Sequence, residues 1–441
     1  MRLVLARITS QFLLLCLAGI VWSASVRAEL TIEITGGTAG AQPIAIVPFG
    51  WEGQGAPPAD IAGIIAADLH RSGYFAPLPG KDLIANPTEA AQVNFAEWRV
   101  LGTPSLVIGK LRATASGYVA QFQLFDVFKG TQLAGYSIPS SAQDLRRTAH
   151  QISDIIYETL TGQPGAFATR IAYVTEMRGQ NGKSRYSLHV ADADGHNPIP
   201  VLHSTQPIMS PSWSPDGARL AYVSFERRRP EVFVQDIATR SREVAASYPG
   251  INSAPSWSPD GSRLALVLSK DGNPDIYILN LRDKSLRRVT DSPAIDTEPA
   301  WSPDGNTLIF TSDRGGRPQL YRVSASGGKP QRLTFEGDYN AHAAFSPDGK
   351  SIAMITGQGN RFRTALLDLA TGSMQVLSDG RLDESPSFSP NGAIIVYATE
   401  TGNRGVLAMV SVDGRVRQRL TQAEGDAREP AWGPRTGRAK P

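Results

Sequence analysis

The sequence predicts an α/β N-terminal domain followed by an all-β six-bladed propeller closed by the C-terminal strand. Three observations predict it. The stretch PSWSPDG stands at 211–217 and again at 255–261, with looser copies PAWSPDG at 299–305, AAFSPDG at 343–349 and PSFSPNG at 386–392. The aromatic residues at its third position are Trp213, Trp257, Trp301, Phe345 and Phe388, followed by Trp432, and the gaps are 44, 44, 44, 43 and 44 residues. A period in the forties built from short strands marks a β-propeller. Finally, the two ends of the array complement each other. The first unit begins at Arg170-Ile171-Ala172-Tyr173-Val174 with no aromatic strand before it, and the last is Glu429-Pro430-Ala431-Trp432-Gly433-Pro434 with only a tail after it. Residues 170–433 number 264, six periods of 44, so the C-terminal strand is expected to pair into the first blade.

In chain order, residues 1–28 read as a signal peptide. Arg2 and Arg7 precede an apolar run over 12–22, and Val26-Arg27-Ala28 carries small residues where a signal peptidase reads, placing cleavage after Ala28. The alternative, an uncleaved anchor, needs a longer run to span a bilayer. The single cysteine, Cys16, follows Leu15 rather than the small residue a lipidation signal needs, and the mature chain has no thiol and no disulfide. Removing the signal takes Arg2, Arg7 and Arg27 from the 44 Lys+Arg, leaving 41 against 41 Asp+Glu. A neutral exported chain is a poor partner for nucleic acid, and no nucleic acid is expected.

Residues 29–165 form the N-terminal domain. Glu29, Leu30, Thr31, Ile32, Glu33, Ile34 and Thr35 alternate in polarity, and Gly36-Gly37-Thr38-Ala39-Gly40 follows as a hinge. Segment 29–40 is expected either to add a strand to a partner's sheet edge or to pair within its own domain. Next come a buried strand over 42–49, a helix over 60–72 ended by Gly73, and a meander over 105–112, 118–128 and 132–138. Ser141-Ala142-Gln143-Asp144 resembles a capping box opening a helix that ends at Gly162. This part holds 8 Lys+Arg and 12 Asp+Glu, and residues 166–441 hold 33 and 29, so the domains carry opposite net charge.

The propeller occupies 166–434, and 435–441 is a tail. In each unit Pro-x-Trp-Ser is a strand with an aromatic to bury, and Ser-Pro-Asp-Gly is a turn: Pro fixes φ, Asp tolerates the next corner and Gly supplies the left-handed closing position. These residues are scaffold. The segments just before each aromatic differ from unit to unit. They enter the innermost strands and converge on one mouth of the central channel, where a partner or ligand binds most readily. The candidates are Ile251, Asn252 and Ala254; Asp296, Thr297 and Glu298; Asn340 and His342; Asp383 and Glu384; and Arg428 and Glu429.

Catalytic signatures are missing. The six histidines show no metal-ligand spacing, Asp192-Ala193-Asp194-Gly195-His196-Asn197 lacks the downstream glutamate of a calcium loop and reads as a hairpin turn, and there is neither G-x-S-x-G nor a P-loop. No metal and no cofactor is expected. A peptidase built on a propeller needs a hydrolase domain for which no residues remain. A propeller that takes a small molecule, glycan or cation in its channel stays as the alternative.

A signal peptide, a small α/β domain opening with QPIAIVPF, and a six-fold W-S-P-D-G-x-x-L-A array closed by a C-terminal P-A-W together resemble the TolB family, the periplasmic component of the Tol–Pal system. The likeness covers essentially the whole chain. It implies a non-enzymatic periplasmic adaptor, monomeric by itself, that supports outer-membrane integrity and constriction at division. It implies that the lipoprotein Pal binds at the channel mouth, around Asn252, Ala254 and Asp296-Thr297-Glu298, and ties the protein peripherally to the outer membrane. It implies that TolA engages the segment from Glu29 to Thr35, and that Pal binding changes whether this segment is free or tucked between the domains. Where the family carries a histidine this chain has Ile251, so one polar contact is expected to differ.

Overall fold

The computed structural model describes residues 30–34, 40–179, 182–422 and 425–436. The signal peptide, Glu29, Thr35 and most of the glycine hinge lie outside these residues, as does the end of the tail.

Six four-stranded antiparallel sheets form the propeller. Blade one contains Arg170–Arg178, Ser184–Asp192 and Ile199–Ser204, and its innermost strand is Asp426–Trp432 from the far end of the chain. Trp432 registers with Ile171 and Ala431 with Ala172, so the ring closes through its own termini as the sequence predicts. The innermost strands of blades two to six are Ile208–Trp213, Asn252–Trp257, Asp296–Trp301, Tyr339–Phe345 and Glu384–Phe388.

The repeated turn works as its residue types dictate. In blade two, the Ser214 hydroxyl donates to Asp216 Oδ1 (2.5 Å) and accepts from the Arg219 N–H (2.9 Å), while Asp216 Oδ1 accepts from the Ala218 N–H (3.0 Å). Gly217 closes the hairpin at φ 67°, and the glycines of the other four turns lie between 69° and 73°. The aromatic of each unit packs on the preceding blade. Trp257 lies among Val223, Val232 and Val234 of blade two, and Trp301 among Val267, Ile276 and Ile278 of blade three. Arg170, Arg219 and Arg263 cover the rings of Trp213, Trp257 and Trp301 at 4.7–5.1 Å, a cation–π contact.

The N-terminal domain is a mixed sheet. Strands β2 (Gln42–Ile46), β3 (Gly50–Glu52), β4 (Phe75–Pro77), β5 (Ser105–Thr114), β6 (Gly117–Asp126) and β7 (Thr131–Ser140) lie in the order β4-β2-β5-β6-β7, with β3 also on β5. Helices α1 (Ile61–Arg71) and α3 (Leu145–Thr161) cover one face through Ile61, Ile65, Leu69, Ile152 and Ile156. Helix α2 (Phe95–Val100), absent from the sequence reading, plugs the other face with Trp98. Asp60 caps α1 by accepting from the Gly63 N–H at 2.9 Å. The capping box expected at Ser141 does not form. The Ser141 hydroxyl instead donates to the Asp144 carboxylate (2.7 Å), and Asp144 occupies the cap position with its carboxylate on Arg147 (3.0 Å) rather than on a helix N–H.

The largest correction concerns β1 (Leu30–Ile34). Within the chain it pairs not with its own domain but antiparallel with Arg417–Gln422, the outermost strand of blade six, from Leu30↔Gln422 to Ile34↔Gln418. An outermost blade strand presents unpaired backbone groups, and an alternating segment on a short tether covers them. The N-terminal domain touches the turn end of blades six and one. Asn391 Nδ2 donates to the Pro164 carbonyl (3.0 Å) and Gln418 Nε2 to the Arg71 carbonyl (2.5 Å), and Arg146 of α3 pairs with Asp194 of blade one. The opposite end of the propeller, the channel mouth, is left clear of it.

Candidate partner-binding site at the channel mouth

All six innermost strands break register at the same place, for example between Thr297 and Ala300 and between Arg428 and Ala431. At each break, three residues before the aromatic, a residue other than glycine adopts a left-handed backbone: Ser210, Ala254, Glu298, His342, Ser385 and Glu429, with φ of 47–56°. Such a conformation costs roughly 1 kcal/mol or more per residue and persists only where surrounding pairing imposes it. Bulges of this kind re-aim side chains, and here they line a channel cavity of about 1070 Å³.

The ring is electrostatically uneven. Glu298 Oε2 accepts from the Thr311 hydroxyl and the His342 backbone N–H (both 2.8 Å), and its other oxygen lies 3.4 Å from His342 Nδ1. Burial works against the Glu298 charge, but the charge and hydrogen bonds of His342 outweigh it and hold the carboxyl down at about 2. Burial also opposes the His342 cation, yet Glu298 keeps it above the ordinary imidazole value. Across the channel Glu429 is pushed up by burial, with the neighbouring Glu384 adding to the effect, against hydrogen bonds from the Ser210 backbone N–H and from the Ser385 hydroxyl at 3.3 Å. Arg428 stands 3.9 Å from Glu384.

The structure sorts the twelve candidates into three layers. Ala254, Thr297, Glu298, His342, Glu384, Arg428 and Glu429 line the cavity. Asn252, Asp296, Asn340 and Asp383, the last also bordering the cavity, are buried and bound to their own blade or the preceding one. Asn252 grips Tyr248 through its N–H and carbonyl (2.8 and 2.7 Å), Asp296 takes two bonds from Arg314 (2.9 and 2.7 Å), Asn340 donates to Gln319 and to the Glu336 carbonyl, and Asp383 accepts from Thr399, Ser378 and the Thr364 N–H. They hold the mouth loops in shape. Ile251 stands outside the cavity, 41% exposed.

Ile251 has apolar company that the sequence reading, which weighted polar residues, passed over. Met209 (41%) and Ile295 (49%) are also exposed on the segments entering their blades, so blades two to four carry an apolar rim beside the charged throat. The signal was available: Ile251 and Ile295 stand at the same repeat position. One histidine and two aspartates distant in sequence also gather unexpectedly. Among the described residues, Asp68, His150 and Asp194 bring their polar atoms within 4.8 Å of one another at the domain interface. Arg71 and Arg146 already pair with these carboxylates, which makes the group an ion network.

Comparison with known proteins agrees with this architecture. Residues 30–133 match the model of the TolB amino-terminal domain and residues 157–436 that of the TolB beta propeller domain. The chain is 64% identical over 422 residues to the Tol-Pal system protein TolB of Nitrosococcus oceani, covering 95% of this chain and 97% of that one. It is 62% identical to the protein of the same name from Thioalkalivibrio sulfidiphilus, covering 97% and 98%. Among solved structures, TolB from Acinetobacter baumannii superimposes with a TM-score of 0.86 at 44% identity, covering 92% of this chain and all of that one.

Proposed function

The chain belongs to the TolB family and is a component of the Tol–Pal system, and from this premise we propose that it is a non-enzymatic periplasmic adaptor. In this reading it binds Pal at the channel mouth and offers its N-terminal strand to TolA, so linking the outer membrane to the inner one during constriction. The observation that carries it is the contrast at the mouth: a ring of fixed backbone geometry bearing unlike side chains, with Thr297, Glu384 and Arg428 around a charged throat and Met209, Ile251 and Ile295 beside it. A partner surface with an apolar contact and a few polar anchors fits that pattern. For the second partner, support comes from β1, whose five backbone pairs to blade six can be exchanged for pairs with another sheet.

Calorimetry of the mature chain, from Glu29, against the soluble domain of its own Pal tests the first half. Thr297→Arg blocks the rim without touching the Glu298–His342 pair, while Thr297→Arg/Glu298→Arg also disrupts the throat. Binding that the single substitution removes places Pal on the rim, and absence of binding by the unaltered chain refutes the assignment. For the second half, a cross-link between β1 and the outermost strand of blade six is expected to abolish TolA binding and spare Pal. If both partners bind the cross-linked chain unchanged, the exchange of β1 is wrong.

A further inference from the structure

The ion network between the domains has no part in the channel mouth, yet Asp68, Arg71, His150 and Asp194 at its centre are buried. It centres on Asp194, in the blade-one turn that the sequence alone suggests is a plain hairpin. Asp194 pairs with Arg146, lies 3.8 Å from Arg71 and 3.6 Å from His150 Nε2, and accepts from the His196 N–H at 3.1 Å. On its other side His150 Nδ1 meets Asp68 Oδ2 at 2.7 Å, and Asp68 pairs with Arg71. Asp192 stands 3.7 Å from Arg146. The Arg71 carbonyl receives Gln418, the residue opposite Ile34 in the ladder that docks β1. The network is therefore one hydrogen bond away from the strand edge that holds the N-terminal segment.

We propose that this network is a pH-sensitive latch: with His150 protonated it clamps the N-terminal domain and the docked β1 to the propeller, and loss of that proton loosens both. Charge balance is the reason. With His150 charged, three cations (Arg71, Arg146, His150) face three carboxylates (Asp68, Asp192, Asp194). Deprotonation leaves an uncompensated negative charge in a buried interface, which is costly. Each element facing His150 contributes: Asp68 and Arg71 from α1, Arg146 and Asp154 from α3, Asp192, Asp194 and the half-exposed His196 from blade one, and the uncharged Gln418 from blade six. Burial opposes the His150 cation, but the charge and hydrogen bond of Asp68, then Asp194, outweigh it and raise its pKa. Burial also lifts Asp154 to about 6, so it gains negative charge as the pH rises and adds to the imbalance.

The sign follows. A histidine with its folded pKa above the unfolded value stabilises fully below about pH 6.5 and loses that contribution as pH rises through the folded value. The latch is therefore tight in mild acid and loosens toward alkali, whichever partner takes β1.

The test is amide hydrogen exchange on the whole mature chain from about pH 5.5 to about pH 9, across the imidazole range, corrected for the intrinsic pH dependence of exchange. Protection at 30–34 and 417–422 is expected to fall several-fold as pH rises, with blades three and four unchanged. His150→Gln is expected to show the alkaline level at every pH. The proposal is overturned if protection at 30–34 is flat across the range, or if His150→Gln keeps the wild-type profile. Should that variant misfold, which blades three and four would report, an NMR titration of His150 in the unaltered chain still decides. Its midpoint must coincide with the loss of protection, and a separate midpoint sinks the latch.

Discussion

At the turn end of the innermost strands, the same letters recur with the same contacts: a serine hydroxyl on an aspartate or asparagine, a left-handed glycine, an aromatic on the preceding blade. At the mouth end of the same strands the backbone is just as uniform, with φ of 47–56° in all six blades, yet the residues there are serine, alanine, glutamate, histidine, serine and glutamate. The two ends differ in what is repeated. At the turn, side chain and backbone are fixed together because the side chain makes the turn. At the mouth, strand pairing fixes the backbone, and the side chain is left to serve something outside the blade.

The strongest way to break this comparison is at the turn end. Trp301→Ala removes a ring packed between blades three and four and its bond from Nε1 to the Ser256 carbonyl. A loss of roughly 3–5 kcal/mol of stability is expected by denaturant unfolding, with no change in Pal affinity for the molecules that remain folded. The opposite pattern belongs to Thr297→Arg, which is half-exposed at the mouth. It is expected to leave unfolding nearly unchanged and to cost about 2 kcal/mol of Pal binding, about thirtyfold in Kd by calorimetry. If either substitution moves both quantities together, the division between the ends is false.

Smaller effects sharpen the picture. Asn391 is the one departure from aspartate in the turn, and its Nδ2 donates to Pro164 ahead of the propeller. Asn391→Asp keeps the turn but loses that donor, with an expected cost of about 1 kcal/mol seen as a lower Tm. In the throat, Glu298→Gln is expected to lower the His342 pKa, read from its imidazole resonances, because Glu298 raises it most, ahead of Glu429 and Glu384. The smallest effect is in acid. Hydrogen bonds from the Ser258 hydroxyl and the Ser262 N–H hold Asp260 at about 2. A depressed carboxylate stabilises fully above its unfolded value of about 3.9, and this is lost as pH falls through the folded one. Asp260→Asn should remove that small increment from the acid unfolding curve.

These residues also show what could be read in advance. The blades, their aromatics and the closing of the ring are legible because local turn chemistry repeats five times along the chain and the aromatic six times. The mouth is legible in position and only partly in detail. Asn252, Asp296, Asn340 and Asp383 look like partner-facing polar groups in sequence, but each lies at or next to the start of an innermost strand and turns inward to bond neighbouring loops and strands. Nothing local marks Glu298 and Glu429 as left-handed, since glutamate carries no preference for it; the bulge imposes it. The docking of β1 on blade six and the meeting of Asp68, His150 and Asp194 depend on pairings hundreds or tens of residues apart, which no periodicity announces.

The closing strand has a temporal side. Blade one lacks its innermost strand until residues 426–432 are available, because Trp432 must reach Ile171 across nearly the whole array. Five blades can assemble as the chain lengthens, but the ring cannot seal before its last residues exist. Long-range closure of this kind is slow relative to local hairpins. Until then Tyr173 and Ile171 lack their cover, and a chain shortened by a dozen residues forfeits the seam that locks all six blades rather than one strand.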